Sequence, residues 1–317
     1  HSAKSYRPIV LTPCLSKVLE KVIKARLEDH LSTHSPLHAN QYAFRRGLST
    51  TNALSHITRS IINLKQQKRR IALLAVDIAG AFDNASWSKI MEALSRSNTP
   101  IYIRNCIRGY LYGRKVSFSY NNYSITRTLS KGTPQGGVLS PLLWNILLDS
   151  LFHIRLQNTE IVAYADDITA ICWADKNDEA SLIPTASHSL SAIQNWCNDH
   201  HLSIAPNKTS LVYFHCLQKL PLRFGDITIT PEPHLRILGL TFGDSRCLSK
   251  LQCHFHITDV ISRCNKVKNV LFGIAGNTYG MDSRKRIILY KAVIRSKIMY
   301  AHEIWSKHCT AADIKAL

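Results

Sequence analysis

Two adjacent carboxylates stand in the middle of an apolar segment, and this feature constrains the fold more than any other. Residues 164–167 read Tyr-Ala-Asp-Asp and lie between the apolar runs 161–163 and 168–173. Both runs are short and rich in residues that favour strands, so the sequence predicts a hairpin with Asp166 and Asp167 at its tip. Adjacent like charges are unfavourable unless a cation screens them, and an oxygen-only pair suits a hard ion such as Mg²⁺. The alternative interpretation is an ordinary Asp-rich turn.

A third carboxylate ends a separate apolar run upstream. Residues 71–78 predict a fully buried strand with Asp77 near its end. A lone buried Asp needs a charged partner or a metal ion. If this strand lies beside the hairpin, Asp77, Asp166 and Asp167 would form a cluster able to hold two Mg²⁺ ions roughly 4 Å apart, the arrangement used for in-line phosphoryl transfer. The alternative for Asp77 is a strand-end cap or a salt-bridge partner.

Three segments of different chemistry occur in a specific order. Residues 74–83 read Leu-Ala-Val-Asp-Ile-Ala-Gly-Ala-Phe-Asp, residues 131–141 read Lys-Gly-Thr-Pro-Gln-Gly-Gly-Val-Leu-Ser-Pro, and the Tyr-Ala-Asp-Asp motif follows. In this order they resemble the motif series of reverse transcriptases, most closely those of non-LTR (LINE-type) retrotransposons. The resemblance extends from residues 6–9 and 40–50 to residues 237–240 and 289–294, and so covers nearly the whole chain.

This resemblance implies an α+β fold of the right-hand polymerase type, with fingers, a palm built on an antiparallel sheet, and a helical thumb. It divides the chain into fingers (1–70), a palm strand with the first catalytic Asp (71–84), a fingers/palm insertion (85–136), a palm with the carboxylate hairpin and primer grip (137–245), and a thumb, complete or truncated (246–317).

The resemblance also assigns the catalytic groups. Asp77, Asp166 and Asp167 would bind two Mg²⁺ ions, with Mn²⁺ as an alternative metal. One ion would activate the primer 3′-hydroxyl and the other would bridge the triphosphate oxygens. Lys208 matches the lysine that protonates the pyrophosphate leaving group, which is a general-acid task; a solvated turn lysine is the alternative.

Further residues of the family contact the nucleotide and the template. Phe82 matches the steric gate that excludes a 2′-hydroxyl, and simple core packing is the alternative. Pro134, Gln135 and Gly136 match the loop that positions the template base and the incoming nucleotide, and Tyr164 belongs to the same site. A helix from about Ser140 would aim its N-terminal N–H groups at an anion.

Two more groups of candidates lie at the ends of this region. Arg7 and Arg45 match fingers residues that touch the template and the triphosphate, and an arginine fork suits phosphate geometry. A surface salt bridge is the alternative for both. Leu238, Gly239 and Leu240 resemble the primer-grip turn, where glycine lets the chain approach the primer backbone.

The charge balance favours a polyanionic partner. Lys+Arg number 40 and Asp+Glu 21, so the formal net charge is 40 − 21 = +19, and phosphate contacts would satisfy that excess. The expected partners are an RNA template, a DNA primer, dNTPs and other domains of a longer polyprotein. The basic run 65–70 taken alone predicts a solvated loop or helix face rather than a binding site.

Other patterns bound the architecture and the compartment. Seven apolar residues between Leu15 and Leu31 recur at helical spacing and predict a core-facing helix, and residues 114–129 predict a hairpin that turns at Asn121 and Asn122. No apolar stretch reaches the roughly 20 residues of a membrane span. Nine cysteines without paired spacing favour reduced thiols. We therefore expect an intracellular protein without a membrane segment, in the nucleus or the cytoplasm.

The function that follows from the resemblance is RNA-directed DNA polymerisation as part of a retrotransposon. The first alternative is a catalytically silent, nucleic-acid-binding remnant of such an element, against which the intact set of three carboxylates speaks. A related polymerase that makes RNA and a telomerase-like enzyme are further alternatives, and the aromatic side chain of Phe82 disfavours the RNA-making option.

Overall fold

The structure is a computed structural model that describes residues 9–225, 227–245, 247–274 and 280–317. Its helices are α1 (Cys14–His34), α2 (Thr50–Gln66), α3 (Ala81–Asn84), α4 (Trp87–Arg96), α5 (Ile101–Leu111), α6 (Ser140–Asp149), α7 (Leu182–Asp199), α8 (His254–Ile274), α9 (Ser283–Leu289), α10 (Ser296–Met299), α11 (His302–Trp305) and α12 (Ala311–Ala316), and a π-helical turn (Tyr290–Arg295) joins α9 to α10. Its strands are β1 (Arg70–Asp77), β2 (Lys115–Tyr120), β3 (Tyr123–Thr128), β4 (Thr159–Tyr164), β5 (Asp167–Ala174), β6 (Ser210–Phe214), β7 (Leu222–Phe224), β8 (Ile227–Ile229), β9 (His234–Ile237) and β10 (Leu240–Gly243).

Four of these strands form an antiparallel sheet in the order β4-β5-β1-β6. The predicted hairpin of β4 and β5 is present, but its turn consists of Ala165 and Asp166, one residue earlier than predicted, and Asp167 is the first residue of β5. The hairpin of β2 and β3 turns at Asn121 and Asn122, as predicted, but it stands apart from the main sheet. Two further two-stranded sheets, β7-β8 and β9-β10, lie beyond β6 in the chain.

The central strand β1 is buried on both faces, which explains its uninterrupted apolar sequence. Ala72, Leu74 and Val76 pack with residues of α4, α6 and α7 on one face. Ile71 and Leu73 pack on the other face with residues of α2, α8 and α11. This alternation follows from the two-residue period of a strand. The predicted buried strand is confirmed, and helices cover both sides of the sheet.

The prediction for the first helix is only half right. Ile23, Leu27 and Leu31 in the C-terminal half of α1 are buried, and the helix packs there beside α5. The predicted core residues of the N-terminal half, Leu15, Val18, Leu19 and Val22, are exposed. Helical periodicity identifies an apolar face, but only the neighbouring elements decide how much of that face is covered.

The prediction of a solvated loop or helix face for the basic run 65–70 is only partly right, because residues 66–68 are exposed but Lys65 and Arg70 are buried. The Lys65 side chain is only 1% exposed, and its ammonium group donates to the Asp244 carboxylate at 3.1 Å and to two backbone carbonyls of the loop after β10. Arg70 Nε lies 3.1 Å from the Glu179 carboxylate. These cations join α2 and β1 to distant loops. None of the helices in the described ranges combines the length and apolar character required to cross a bilayer.

Candidate active site

The sheet brings the three predicted carboxylates to one edge. Asp77 ends β1 and lies directly opposite Asp167, the first residue of β5, in the antiparallel register. Directly opposed residues have Cα atoms about 4.5–5.5 Å apart and project to the same face. Asp166 occupies the turn beside them, where Ala165 adopts the left-handed φ of 59°. The sheet therefore places all three acidic residues within one short stretch of backbone.

A cleft of about 540 Å³ opens at this edge. It collects most of the predicted site from segments far apart in the sequence. Its walls include, among others, Phe44, Asp77, Phe82, Asp83, Pro134, Gln135, Gly136, Asp166 and Lys208. Asp167 is exposed and lies beside this wall, opposite Asp77.

The charges at this edge favour a cation. Opposed like charges on one face of a sheet destabilise it, and the structure compensates Asp77 with Lys208, whose Nζ lies 2.9 Å from Asp77 Oδ2. Within the described residues, no three acidic, His or Cys side chains are gathered into a ready-made metal site. The donor chemistry nevertheless fits Mg²⁺, because carboxylate oxygens are the ligands that this ion prefers. Lys208 is 67% exposed and can move away from Asp77.

An aromatic cluster supports the carboxylate turn. Phe82 contacts Phe44 edge-on at 6.1 Å and Trp144 at 5.7 Å between ring centroids. Trp144 is fully buried in α6, and its Nε1 donates to the carbonyl oxygen of Ala165 at 3.0 Å. This hydrogen bond ties the turn that carries Asp166 to the helical layer. Phe82 is thus both packed and facing the cleft.

The glycine-rich loop lies across the cleft from the carboxylates. The Gln135 side-chain amide donates to both carboxylate oxygens of Asp83 at 2.8 Å, which fixes the loop to α3. Gly132 has a φ of 86°, and a Cβ there would lie 2.5 Å from the Asp83 carbonyl oxygen. A Cβ on Gly137 would lie 2.7 Å from two hydroxyl oxygens. Backbone packing therefore requires glycine at Gly132, whereas a side chain at Gly137 would require the Ser140 and Tyr110 side chains to shift.

The N-terminus of α6 already holds an anion. The helix begins at Ser140 as predicted, but the backbone N–H of Leu139 donates to Glu20 Oε2 at 3.0 Å. Glu20 comes from α1 and is only 1% exposed. Tyr110 also donates to this carboxylate, and burial raises the pKa of the Tyr110 hydroxyl. The predicted anion at this helix end is therefore a side chain of the protein itself, favoured by the helix dipole.

Of the remaining nucleotide and template candidates, Arg45 and Tyr164 are not among the residues of the cleft wall. Arg45 Nη1 donates to the carbonyl oxygens of His38 and Gln41 at 2.7 and 2.9 Å, so this atom holds its own loop together. Tyr164 ends β4 opposite Asp167. Arg7 falls outside the described residues. Their contacts with template or nucleotide stay predictions.

The predicted primer-grip turn joins β9 to β10. Leu238 and Gly239 have φ values of 46° and 86°, and Leu240 begins β10. Tyr300 follows α10, and its hydroxyl donates to the Leu238 carbonyl oxygen at 2.6 Å. Below the turn lies a cavity of about 470 Å³ that includes His256, which is 2% exposed. The C-terminal segment thus contacts this turn directly, while its role as a thumb and the turn's role with a primer stay predictions.

Several residues of the site escaped sequence reasoning. These residues are Phe44, Trp144, Glu20 and Tyr300. They make contacts with residues far away in the sequence; for example, Tyr300 contacts Leu238 and Glu20 contacts Leu139. Phe44 lies within the segment 40–50 that carries the resemblance, and Glu20 lies within the periodic first helix, but neither pattern marks these two residues as part of the site. Of these residues, only Glu20 could have been identified from the hydrophobic pattern, because an acid on a buried helix face is unusual.

The antiparallel sheet covered by helices, with carboxylates at one edge beside a cleft, defines a right-hand polymerase. The fold is shared with telomerase from Candida albicans, in its structure in complex with the TWJ fragment of telomeric RNA: the TM-score is 0.53 at 12% identity, over 96% of this chain and 53% of that one. Residues 1–242 match the family described as "Reverse transcriptase (RNA-dependent DNA polymerase)". The chain belongs to this family, as the sequence predicts.

Relatives from transposable elements match almost the full chain. The probable RNA-directed DNA polymerase from transposon BS of Drosophila melanogaster is 26% identical over 96% of this chain and 34% of its own length. The putative 115 kDa protein in the type-1 retrotransposable element R1DM of the same species is 24% identical over 98% of this chain and 29% of its own length. The chain thus spans about a third of the relatives it matches, and these relatives confirm the resemblance to non-LTR retrotransposons.

Proposed function

We propose that this chain catalyses RNA-directed DNA synthesis, extending a primer 3′-hydroxyl with dNTPs on an RNA template within a retrotransposon protein. The observation that carries the proposal is the convergence of Asp77, Phe82, Gln135 and Asp166 on one cleft, from three separate segments. A structural role does not require a carboxylate turn, an aromatic side chain and a glycine-rich loop to face the same space. Their chemistry matches the needs of nucleotidyl transfer.

Asp77, Asp166 and Asp167 would hold two Mg²⁺ ions, with Mn²⁺ as the alternative. When bound, these ions would activate the primer hydroxyl and neutralise the triphosphate, which supplies most of the catalysis in this reaction class. The opposed pair of Asp77 and Asp167 supports this assignment because two neighbouring carboxylates lose their mutual repulsion when a divalent cation binds.

The protein side chains would position the reactants and move one proton. Lys208 neutralises Asp77 before substrate binds, and its Nζ would protonate the leaving pyrophosphate. Phe82 would exclude a 2′-hydroxyl, held in place by the rings of Phe44 and Trp144. Gln135, braced by Asp83, would contact the nascent base pair together with Pro134 and Gly136.

The rest of the molecule would hold the nucleic acids. Arg7, Arg45 and Tyr164 are proposed to lie along the template and triphosphate path, and Leu238, Gly239 and Leu240 along the primer. The segments 1–70, 85–136 and 246–317 would act as fingers, insertion and thumb around the palm. We place the protein inside the cell, in the nucleus or cytoplasm, and expect further domains of a longer polyprotein to supply target cleavage.

Primer extension tests this function directly. The purified chain should extend a DNA primer on an RNA template with Mg²⁺ and dNTPs, and Asp166→Asn should reduce the rate at least a thousandfold, because it removes a carboxylate that the reaction needs. Asp175→Asn, which changes an exposed acid at the opposite end of the same hairpin, is the matched control and should leave the rate unchanged. Appreciable synthesis by Asp166→Asn would contradict the assignment. Tight duplex binding without synthesis in any variant would favour the silent nucleic-acid binder.

The sugar preference provides a second test. Phe82→Val should admit ribonucleotides and raise the rate ratio of NTP to dNTP incorporation at least tenfold, because it opens space where a 2′-hydroxyl would otherwise meet the ring. Phe44→Val changes the neighbouring ring and serves as the control, with a smaller expected effect on the ratio. An unchanged ratio in Phe82→Val would mean that another residue selects the sugar.

A further inference from the structure

The hairpin of β2 and β3 presents an aromatic face that no part of the described structure covers. Phe118, Tyr120 and Tyr123 are 66%, 68% and 79% exposed, and Ile125 is 59% exposed. The register pairs Phe118 with Ile125 and Tyr120 with Tyr123, so all four project to the same side of the hairpin. A contiguous exposed apolar surface of this kind marks an interaction site.

The opposite face has a different chemistry. There Ser117 pairs with Thr126 and Ser119 with Ser124, and the paired hydroxyl oxygens lie 2.8 and 3.1 Å apart. These hydrogen bonds leave a polar surface that suits water. The hairpin is thus amphipathic, although both of its faces are exposed within the described structure.

The charge of this segment points to a polyanion. Residues 114–131 contain Arg114, Lys115, Arg127 and Lys131 and no acidic residue. Arg127 lies opposite Val116, on the aromatic face. Aromatic side chains interleaved with cations stack on bases and neutralise phosphates, which is the recognition chemistry of single-stranded nucleic acids. A duplex would not expose its bases to these rings.

The base of the hairpin is joined to the wall of the cleft. The N–H of Leu129 donates to the Arg114 carbonyl oxygen at 2.9 Å and closes the hairpin. Three residues later, the N–H of Gly132 donates to the Ala85 carbonyl oxygen at 2.8 Å, and the loop continues to Pro134 and Gln135. Six-residue strands reach about 20 Å. The aromatic face therefore begins next to the cleft and extends outward from it.

We infer that the aromatic face of the β2–β3 hairpin binds the single-stranded 5′ portion of the RNA template that has not yet been copied. This assignment rests on the proposed function for the identity of the strand. A two-stranded hairpin with no packed face is only marginally stable in water, so stacking of template bases on Phe118, Tyr120 and Tyr123 would also order it.

The test measures binding without dNTPs, so it does not depend on synthesis. Fluorescence anisotropy would compare an RNA/DNA duplex that carries a 5′ RNA overhang with a blunt duplex. Phe118→Ser with Tyr123→Ser should lower affinity for the overhang substrate at least tenfold, because each stacked aromatic contributes strongly to single-strand binding, and should leave affinity for the blunt duplex unchanged. Ser117→Ala with Ser124→Ala alters the other face of the same strands and should change neither affinity.

Hydrogen exchange on the unmodified chain gives an independent measurement. Amides of residues 115–128 should become protected when the overhang substrate binds, and more than with the blunt duplex. Equal affinity of the aromatic variant for the overhang substrate, or an equal loss for both substrates, would overturn the inference, and so would the absence of overhang-dependent protection. Failure of primer extension with hairpin-dependent overhang binding intact would instead overturn the proposed function alone.

Discussion

Two hairpins of this chain share a local geometry and have opposite surroundings. The β4–β5 hairpin turns at Ala165 and Asp166, and the β2–β3 hairpin turns at Asn121 and Asn122. Each uses a two-residue turn whose first residue has a left-handed φ, 59° at Ala165 and 51° at Asn121. The first lies within a sheet covered on both faces, whereas every residue of β2 and β3 is exposed.

A residue points to a function when its chemistry is unfavourable in the surroundings where the fold places it. In the buried hairpin the informative residues are the acids at the tip, because burial alone would select against charge. In the exposed hairpin they are the aromatic rings, because exposure alone would select against them. The same backbone motif therefore presents the carboxylates of the proposed active site in one place and the proposed docking surface in the other.

A matched pair of substitutions should show the largest contrast. Ile171→Asp in β5 buries a charge without a partner at a fully enclosed site, and should lower the free energy of unfolding by more than about 4 kcal/mol. Ile125→Asp in β3 should change it by less than about 0.5 kcal/mol, because that side chain is exposed. Urea denaturation measures both. Similar losses in the two variants would mean that the exposed hairpin belongs to the cooperative core.

The contrast between buried and exposed surroundings also applies to histidines. Burial lowers the pKa of His256 from 6.5 to about 4, with Asp259 opposing this effect and Arg236 adding to it. Between these pH values the unfolded chain binds more protons than the folded one, so stability falls as pH falls from 6.5 toward 4, by up to about 3 kcal/mol.

Thermal melting of His256→Phe between pH 4 and 7 measures this contribution, and the variant should lose much of the pH dependence. His188→Gln, on the exposed side of α7, is the control and should keep it. An unchanged pH profile in His256→Phe would show that other groups cause the acid sensitivity.

The smallest predicted contrast concerns the two turns themselves. A left-handed φ strains alanine but is tolerated by asparagine. Ala165→Gly should therefore stabilise the protein by about 0.5 to 1 kcal/mol, after the greater chain entropy of glycine is subtracted. Asn121→Gly should have almost no effect, because asparagine already accommodates the turn and the hairpin lies outside the core. Equal shifts in the midpoint of denaturation would contradict this account.

The sequence predicts the elements whose signals are local. The continuous apolar run of β1, the two hairpins and the beginning of α6 at Ser140 all follow from periodicity or turn chemistry. The ordered motifs identify the family and the right-hand fold. The convergence of Asp77, Asp166, Phe82 and Gln135 on one cleft follows from that fold rather than from the residues themselves.

What the sequence does not predict depends on partners distant along the chain. Lys65 is a buried cation because its ammonium group donates to Asp244 and to two carbonyl oxygens, which lie 179 to 185 residues later in the sequence. Glu20 is buried because the N-terminus of α6, 119 residues away, supplies its hydrogen bond. Leu15 and Val18 are exposed because no element within the described residues covers that end of α1. Periodicity indicates which face of a helix is apolar, but it does not indicate which element packs against that face.

The position of β1 at the centre of the sheet has a consequence for synthesis on the ribosome. Its first neighbour, β5, ends at Ala174, and its second, β6, ends at Phe214. At about 5–20 residues per second, the ribosome needs roughly 7 to 27 s after Asp77 to produce both. During the first part of that interval β1 has neither neighbour and during the rest it still lacks β6, and non-local pairing of this kind is slow. The strand that carries Asp77 is therefore also a segment that needs protection while the chain is being made.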